Sequence, residues 1–312
     1  MKIYHSINDF PQETKTIVTI GTFDGVHKGH LAIIKRINQV ANENGLKSVL
    51  LTFYPHPRHV LYPDDQKLNL INTIEEKIEI LSRTGLDNLV IHKFTKEFSR
   101  IKSINFIRDL LVGKLNMNFM IVGFNHHFGK NREGTFENLI ELSYLYDFKI
   151  EKIEPQLVDG ISISSTKIRN AIKEGEIKKA NLYLNSNFSI LGKVVSGNNI
   201  GSKIGFPTAN LQLLNKWKIL PREGVYAVMV IFNEIKYFGM LNLGIRPTIS
   251  DDSFAIEVHI FDFSLKIYDR ELKVEFLERI RDEKKFSDLK KLRLQLEKDK
   301  INCEKIVDYL KN

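Results

Sequence analysis

Along the first half of the chain, apolar residues recur in two alternating rhythms. A β-branched run, Ile17-Val18-Thr19-Ile20, meets a glycine turn. Beyond Asp24-Gly25, Leu31, Ile34, Ile37, Val40 and Ala41 return at helical spacing, so strand, tight loop and helix follow in order. Gly45 closes that helix, and Lys47 to Phe53 reads as a second buried strand. Thr73-Ile74-Glu75-Glu76 is a capping box opening a helix to about Thr84. Asn88 to Ile91, Asn118 to Val122 and Phe148 to Ile153 read as further strands, separated by helices from about Ser103 to Leu115 and from about Thr135 to Tyr146. Five strand-helix alternations imply an α/β fold with a parallel, doubly wound sheet.

Near Leu182 to Phe188 the alternation stops. Short strands and turns follow: Ser189 to Val195, Val225 to Phe232, Ile235 to Leu241, Phe254 to Phe261 and Leu272 to Leu277. This pattern predicts a small antiparallel β-barrel. A closing helix from about Ser287 to Tyr309 carries Leu289, Leu292 and Leu296 as its packing stripe. The expected domains are therefore 1–184 and 185–312.

With 312 residues, 43% of them hydrophobic, the chain can fill two cores. The single cysteine, Cys303, rules out an internal disulfide and, without a CxxC, suggests a reducing compartment such as the cytoplasm. No stretch of about 18 apolar residues and no signal-peptide pattern is present, so no membrane partner is expected. The formal charge of +8 favours anionic partners, although a solvated basic face on the lysine-rich C-terminal helix accounts for it equally well. Neither composition nor pattern separates a monomer from a homo-oligomer.

Candidate chemistry clusters at loop ends. His27 and His30 sit where the first helix begins, at free backbone N–H groups and the positive end of the dipole, where an anion belongs. Half of a metal site and simple helix-start decoration are the other readings. Pro55 and Pro57 bracket His56 at the C-terminal end of the second strand, the end where open α/β sheets bind ligands, although a surface turn explains the loop as well. Gly123 to Gly134 is polar, basic and glycine-bounded. Its spacing and Asn131 exclude a P-loop. In Ile163 to Arg169, the hydroxyls of Ser164, Ser165 and Thr166 precede Lys167 and Arg169, which suits a second anion site or an ordinary N-cap. In the barrel half, Gly197, Gly201, Lys203 and Gly205 suit a flap whose backbone approaches phosphates. Thr208 and Asn210 project alike and could face a hard cation such as Mg2+. Glu257 shares a strand face with His259 opposite Ile256, Val258 and Ile260, which leaves one carboxylate among otherwise apolar or neutral neighbours. It is a candidate general base or a surface ion-pair member.

These motifs, in this order, resemble the bifunctional riboflavin kinase/FMN adenylyltransferases (bacterial FAD synthetases). GTFDGVHKGH is similar to the (H/T)xGH signature of nucleotidyltransferases and extends the nucleotide-binding set to Gly21, Phe23 and Asp24. FYPHP places Pro55 and His56 in the active-site region, Val122 to Gly129 resembles VGxDFxFG with Asn125 in place of Asp, and ISSTKIR resembles ISSTxIR. The stretch Gly197 to Asn210 resembles the riboflavin kinase signature ending in PTAN. The resemblance implies that Thr208 and Asn210 hold Mg2+-nucleotide and that Glu257 deprotonates the riboflavin 5′-hydroxyl. It also implies flavin-phosphate or ADP contacts for Arg279 and Arg281. The sequence departs from the pattern at Ser202, commonly Arg, and at Asp269, usually Gly.

The implied reactions are phosphorylation of riboflavin to FMN in the second domain and direct adenylyl transfer from ATP to FMN, giving FAD and pyrophosphate, in the first. No covalent enzyme intermediate is needed, because the flavin phosphate is already a nucleophile. The expected work is alignment, together with neutralisation of spreading charge by His27, His30 and Arg169. Two rivals stand: a chain in which only one module is active, and a basic nucleic-acid-binding protein. The latter would need aromatics interleaved with Lys/Arg on exposed strands, where these strands are apolar.

Overall fold

The structure is a computed structural model that describes residues 1–64, 68–124, 129, 134–158, 160–197, 200–247 and 252–311. It forms two compact units, Met1–Ser165 and Thr166–Asn312. The first holds β1 (Lys2–Tyr4), β2 (Thr16–Ile20), α1 (Lys28–Asn44), β3 (Lys47–Tyr54), α2 (Pro57–Leu61), α3 (Ile74–Ser82), β4 (Asn88–Lys93), α4 (Ser103–Asn105), β5 (Met117–Gly123), α5 (Phe136–Tyr146), β6 (Lys149–Ile153) and the hairpin of β7 (Leu157–Val158) and β8 (Ile161–Ser162). The sheet runs β1-β4-β3-β2-β5-β6, every neighbour parallel. One face packs Ile17, Leu50 and Ile121 against Ile34, Ile37 and Val40 of α1. The other packs Val18, Leu51 and Met120 against Phe106, Ile107 and Leu139. Both faces are thus covered, as a doubly wound sheet requires. Strand order reverses between β2 and β5, and this switch point puts the loop after β2 where such sheets bind ligands.

Three details differ from expectation. The sheet has a sixth strand, β1, whose exposed residues gave no apolar signal. The expected helix from Ser103 to Leu115 is one α-turn followed by a π-helical stretch, Phe106–Val112, in which Gly113 N–H reaches back to Arg108 O and Leu115 N–H to Leu110 O. The wider coil turns Phe106, Ile107 and Leu111 together into the core. The β7–β8 hairpin had no pattern to announce it.

The second unit holds α6 (Ser165–Lys173, entering from the first unit's last residue), α7 (Ile177–Leu184), β9 (Ser189–Val195), α8 (Ile200–Lys203), β10 (Ala209–Leu213), β11 (Gly224–Phe232), β12 (Ile235–Pro247), β13 (Asp252–Ile260), β14 (Glu271–Arg281) and α9 (Leu289–Lys311). The strands close as β10-β13-β12-β11-β14-β9, all antiparallel. β10 is the strand missing from the sequence reading. It is short, and its polar Asn210 and Gln212 hide the alternation. Asn181 of α7 ties to the barrel by donating to Phe276 O and accepting from Phe188 N–H. Cys303 of α9 joins Phe206, Ala227, Met240, Phe261 and Leu277 in a cluster on the barrel's outer face, so α9 covers that face as a brace. Leu289, expected in the packing stripe, is exposed, because the covered part of α9 begins at Leu292.

Candidate active sites

The loop between β2 and α1 is held from within. The Asp24 carboxylate accepts the backbone N–H groups of Ile71 (2.9 Å) and Asn72 (3.0 Å), just ahead of α3, and its own carbonyl accepts the Ser165 hydroxyl at 2.7 Å. Gly25 has φ +82, and a Cβ there would lie 2.9 Å from Ile71, so only glycine fits this seam. Asp24, expected among nucleotide contacts, is accordingly a buried clamp of the loop.

His27 is the N-cap of α1. Its Nδ1 accepts the His30 N–H, so the remaining proton of its neutral ring sits on Nε2. The His27 and His30 rings stack at 3.7 Å between centroids, and Phe23 stacks on His30 at 4.4 Å. The two imidazoles therefore do share one side of the first turn, as their spacing implied. Their charge does not match the expectation. Burial lowers the His27 pKa to about 4 against the opposing pull of Asp24, and burial, then His27, then Lys77 hold His30 well below its ordinary value. Burial thus favours the neutral form of both rings, which offers a hydrogen-bond donor rather than a cation. The buried cation beside them is Lys77, invisible in sequence because an α3 lysine reads as a solvated face. Among the described residues there is no group of three or more His, Cys, Asp or Glu side chains that could hold a metal.

The remaining expected residues of this unit divide. Gly21 lies half-buried beside Phe23 at the start of the loop. His56 caps the single turn of α2 by accepting from Arg58 N–H, and Pro55 is exposed at the end of β3. Ser164 is half-buried just before α6, while Asn125 lies outside the described residues. In the second unit, Thr166 is exposed in the first turn of α6 and Arg169 is half-buried one turn on.

The barrel unit carries a cavity of about 250 Å3 lined by Gly201, Thr208, Asn242, Glu257, His259 and Arg281 among others. Three strands build it. Asn210 of β10 and Asn242 of β12 flank Glu257 of β13 in direct register, so the three side chains share the face that α9 covers. The His259 ring nitrogen Nδ1 is 2.8 Å from Pro207 O and, as the donor of that bond, ties the Pro207-Thr208 corner to β13. Asn242 is a cavity residue that the sequence analysis did not single out, since its register beside Glu257 appears only once the strands pair, and the tie of His259 to Pro207 is likewise visible only in the fold. The surroundings of Glu257 are less apolar than expected, since Arg281, Glu283 and Lys284 also line the cavity, along with Leu292 and Leu296 of α9.

Arg281 lies at the cavity wall with its guanidinium paired to the buried Asp299 at 2.7 Å. Arg279 is outside the lining. It donates to Glu223 O and pairs with Asp282 at 2.6 Å while lying over Tyr226, which makes it a brace between β14 and the turn before β11. Gly205 and Lys203 are exposed, beside the cavity. Gly197 backs directly onto Asn210, since a Cβ there would fall 2.1 Å from its Nδ2. Gly197→Ala must turn the Asn210 amide away from its place beside Glu257. The expected loss is on the order of 10²-fold in riboflavin phosphorylation, measured as FMN formed, with FAD formation from supplied FMN unchanged.

Known proteins with this architecture identify it. The FAD synthetase family model matches residues 9–167, and the riboflavin kinase family model matches residues 184–307. A bifunctional riboflavin kinase/FMN adenylyltransferase of Buchnera aphidicola (from Acyrthosiphon pisum) is 35% identical, with 100% of both chains covered. The Bacillus subtilis enzyme of the same name is 36% identical over 99% of this chain and 96% of its own. The Escherichia coli K12 enzyme is 33% identical over 98% and 97%. A crystal structure described as a macrolide-efflux protein from Streptococcus pneumoniae superposes with a TM-score of 0.90 at 32% identity, covering 97% of this chain and 98% of that one. Among the described residues no helix is long and apolar enough to cross a membrane. With both modules matched in order and relatives aligned end to end, the chain belongs to the bifunctional riboflavin kinase/FMN adenylyltransferase family.

Proposed function

We propose that riboflavin is phosphorylated in the barrel cavity, with Glu257 as general base, and that FMN is adenylylated at the loop between β2 and α1. The carrying observation is the row Asn210-Glu257-Asn242, which sets a carboxylate between two amides at a cavity whose rim holds Thr208. Glu257 takes the proton of the riboflavin 5′-hydroxyl as that oxygen attacks the γ-phosphorus of ATP, and ADP leaves. Thr208 and Asn210 offer oxygen ligands on neighbouring positions. This is too few for a dedicated cage but suits Mg2+ arriving on ATP, since that ion keeps most of its shell for water and phosphate. Bound there, it would neutralise charge developing on the phosphates.

In the first unit, the phosphate of FMN attacks the α-phosphorus of ATP and pyrophosphate leaves. His27 and His30 donate hydrogen bonds to the α-phosphate oxygens at the N-terminus of α1. Ser164 and Ser165 are proposed to bind the phosphate chain, and Gly21, Phe23, Pro55, His56 and Asn125 to bound the nucleotide and flavin. Gly201, Lys203 and Gly205 form the kinase flap, and Arg281 faces its nucleotide. A functional boundary at 184/185 follows the start of the riboflavin kinase match.

Both modules are read as active, and one departure from the family pattern supports this. Asp269 adopts φ 62, the left-handed conformation that glycine takes freely, and pairs with Lys193 at 2.9 Å, so the turn is kept without glycine. A cytoplasmic setting suits the single cysteine, Cys303, which is buried with its thiol pushed up to about 12. The test is a time course. The pure protein with riboflavin, ATP and Mg2+ should accumulate FMN and then FAD on chromatography. A protein that consumes no riboflavin and converts no FMN refutes the proposal.

A further inference from the structure

Buried lysines are rare unless something requires the charge. Lys77 of α3 is only 6% exposed, and its Nζ donates to the Thr22 carbonyl at 2.6 Å. Thr52 donates to the same carbonyl at 3.3 Å. Thr22 precedes Phe23, which adopts φ 46 and stacks on His30. The ammonium therefore holds the strained corner on which the His30 ring rests. Burial brings its pKa down to about 8, with the Asp24 carboxylate pulling the other way. Asp24 is in turn occupied by the N–H groups of Ile71 and Asn72.

His30 Nδ1 is buried with no hydrogen-bond partner among the described atoms. A neutral imidazole carries one proton, and its placement here is a choice between two nitrogens. An N–H at Nδ1 would be a buried donor without an acceptor. A bare lone pair at Nδ1 leaves the proton on Nε2 and avoids a buried donor without an acceptor.

We propose that Lys77 is a positioning residue of the adenylyltransferase: its buried ammonium fixes the Thr22-Phe23 corner and holds His30 as the Nε2–H tautomer, the form able to donate to a phosphate oxygen of ATP. The proposal rests on the reading that His30 meets the nucleotide. The charged and titratable groups around it are Asp24 from its own loop, His27 and His30 from the start of α1, and Glu76, whose carboxylate accepts Thr73 N–H within α3. Both histidines are already neutral well below pH 7, so Lys77 is the group of this set that changes state in mildly alkaline solution. FAD formation should therefore decline as pH rises through about 8 while riboflavin phosphorylation on the same chain does not share that limb.

The experiment uses the full chain, as wild type, Lys77→Met, Lys77→Arg and His30→Ala. In Lys77→Met, kcat for FMN to FAD should fall on the order of 10²-fold, with little change in KM for ATP and with kinase activity intact. The alkaline limb should be lost. Lys77→Arg, whose charge persists at every working pH, should recover activity and flatten the limb. Nitrogen-15 spectra of histidine-labelled wild-type protein supply a readout that needs no variant: the His30 signals should move away from the Nε2–H pattern as pH rises through about 8. Wild-type FAD synthesis and an unchanged alkaline limb in Lys77→Met would overturn the proposal, as would His30 signals insensitive to pH in the wild type. If His30→Ala itself makes FAD normally, the underlying assignment of the site fails instead.

Discussion

His30→Ala will make FMN from riboflavin and ATP and then stop. In the barrel unit nothing changes, since Glu257, Thr208 and Asn210 are built entirely from β10, β13 and the corner before them. In the first unit the change removes a ring stacked between Phe23 and His27 at the mouth of α1. Deleting one preorganised donor to a charge-bearing oxygen costs on the order of 3 kcal/mol in the barrier, or 10²- to 10³-fold in rate. Chromatography of the reaction should show FMN rising to completion with FAD delayed by that factor. His27→Ala should do the same with an added stability loss of about 1 kcal/mol, because it also removes the capping Nδ1 that accepts the His30 N–H. Acid should expose the same chemistry. The folded His27 pKa, about 4, lies below its unfolded value, so the unfolded chain binds more protons. The stability contributed by the neutral ring is complete above pH of about 6.5 and is lost as pH falls towards 4.

Glu257→Gln will reverse the pattern, sparing the second step and abolishing the first. The amide keeps the shape of the side chain between Asn210 and Asn242 and can still hydrogen-bond, but it cannot accept the 5′-hydroxyl proton. General-base catalysis contributes 10²- to 10⁴-fold, so riboflavin consumption should fall on the order of 10³-fold. FAD formed from supplied FMN should proceed at the wild-type rate. Riboflavin and FMN, given in separate reactions to the same preparation, make the check, and normal phosphorylation by Glu257→Gln would remove it from the role of base.

Legibility followed periodicity. β2, α1 and β3 were readable because their apolar faces repeat at 2 or 3.6 residues, and the Thr73 box was observed with Glu76 reaching back to Thr73 N–H as its spacing required. The Ser189–Val195 strand matched to the residue, since both its ends are marked by a change of rhythm. β1 and β10 were missed because each is short and polar enough that its partners, not its own residues, make it a strand. The sites divided similarly. His27, His30, Thr208 and Glu257 announce themselves through local words, and all four lie at loop or cavity positions. Lys77 and Asn242 carry no local signal, because what matters about each is the neighbour supplied by a distant strand or loop. The charge of the imidazoles was misjudged for the same reason: spacing reveals reach, and only burial reveals protonation.

The three residues of β1, Lys2 to Tyr4, line up against Asn88, Leu89 and Val90 at the margin of the parallel sheet. They act as a guard rail. Trimming them in an expression design would bare the hydrogen-bonding rim of β4, whose Leu89 and Val90 are wholly buried, and offer it to any passing extended peptide. Purification handles for this enzyme are therefore better placed after α9, where no strand depends on them.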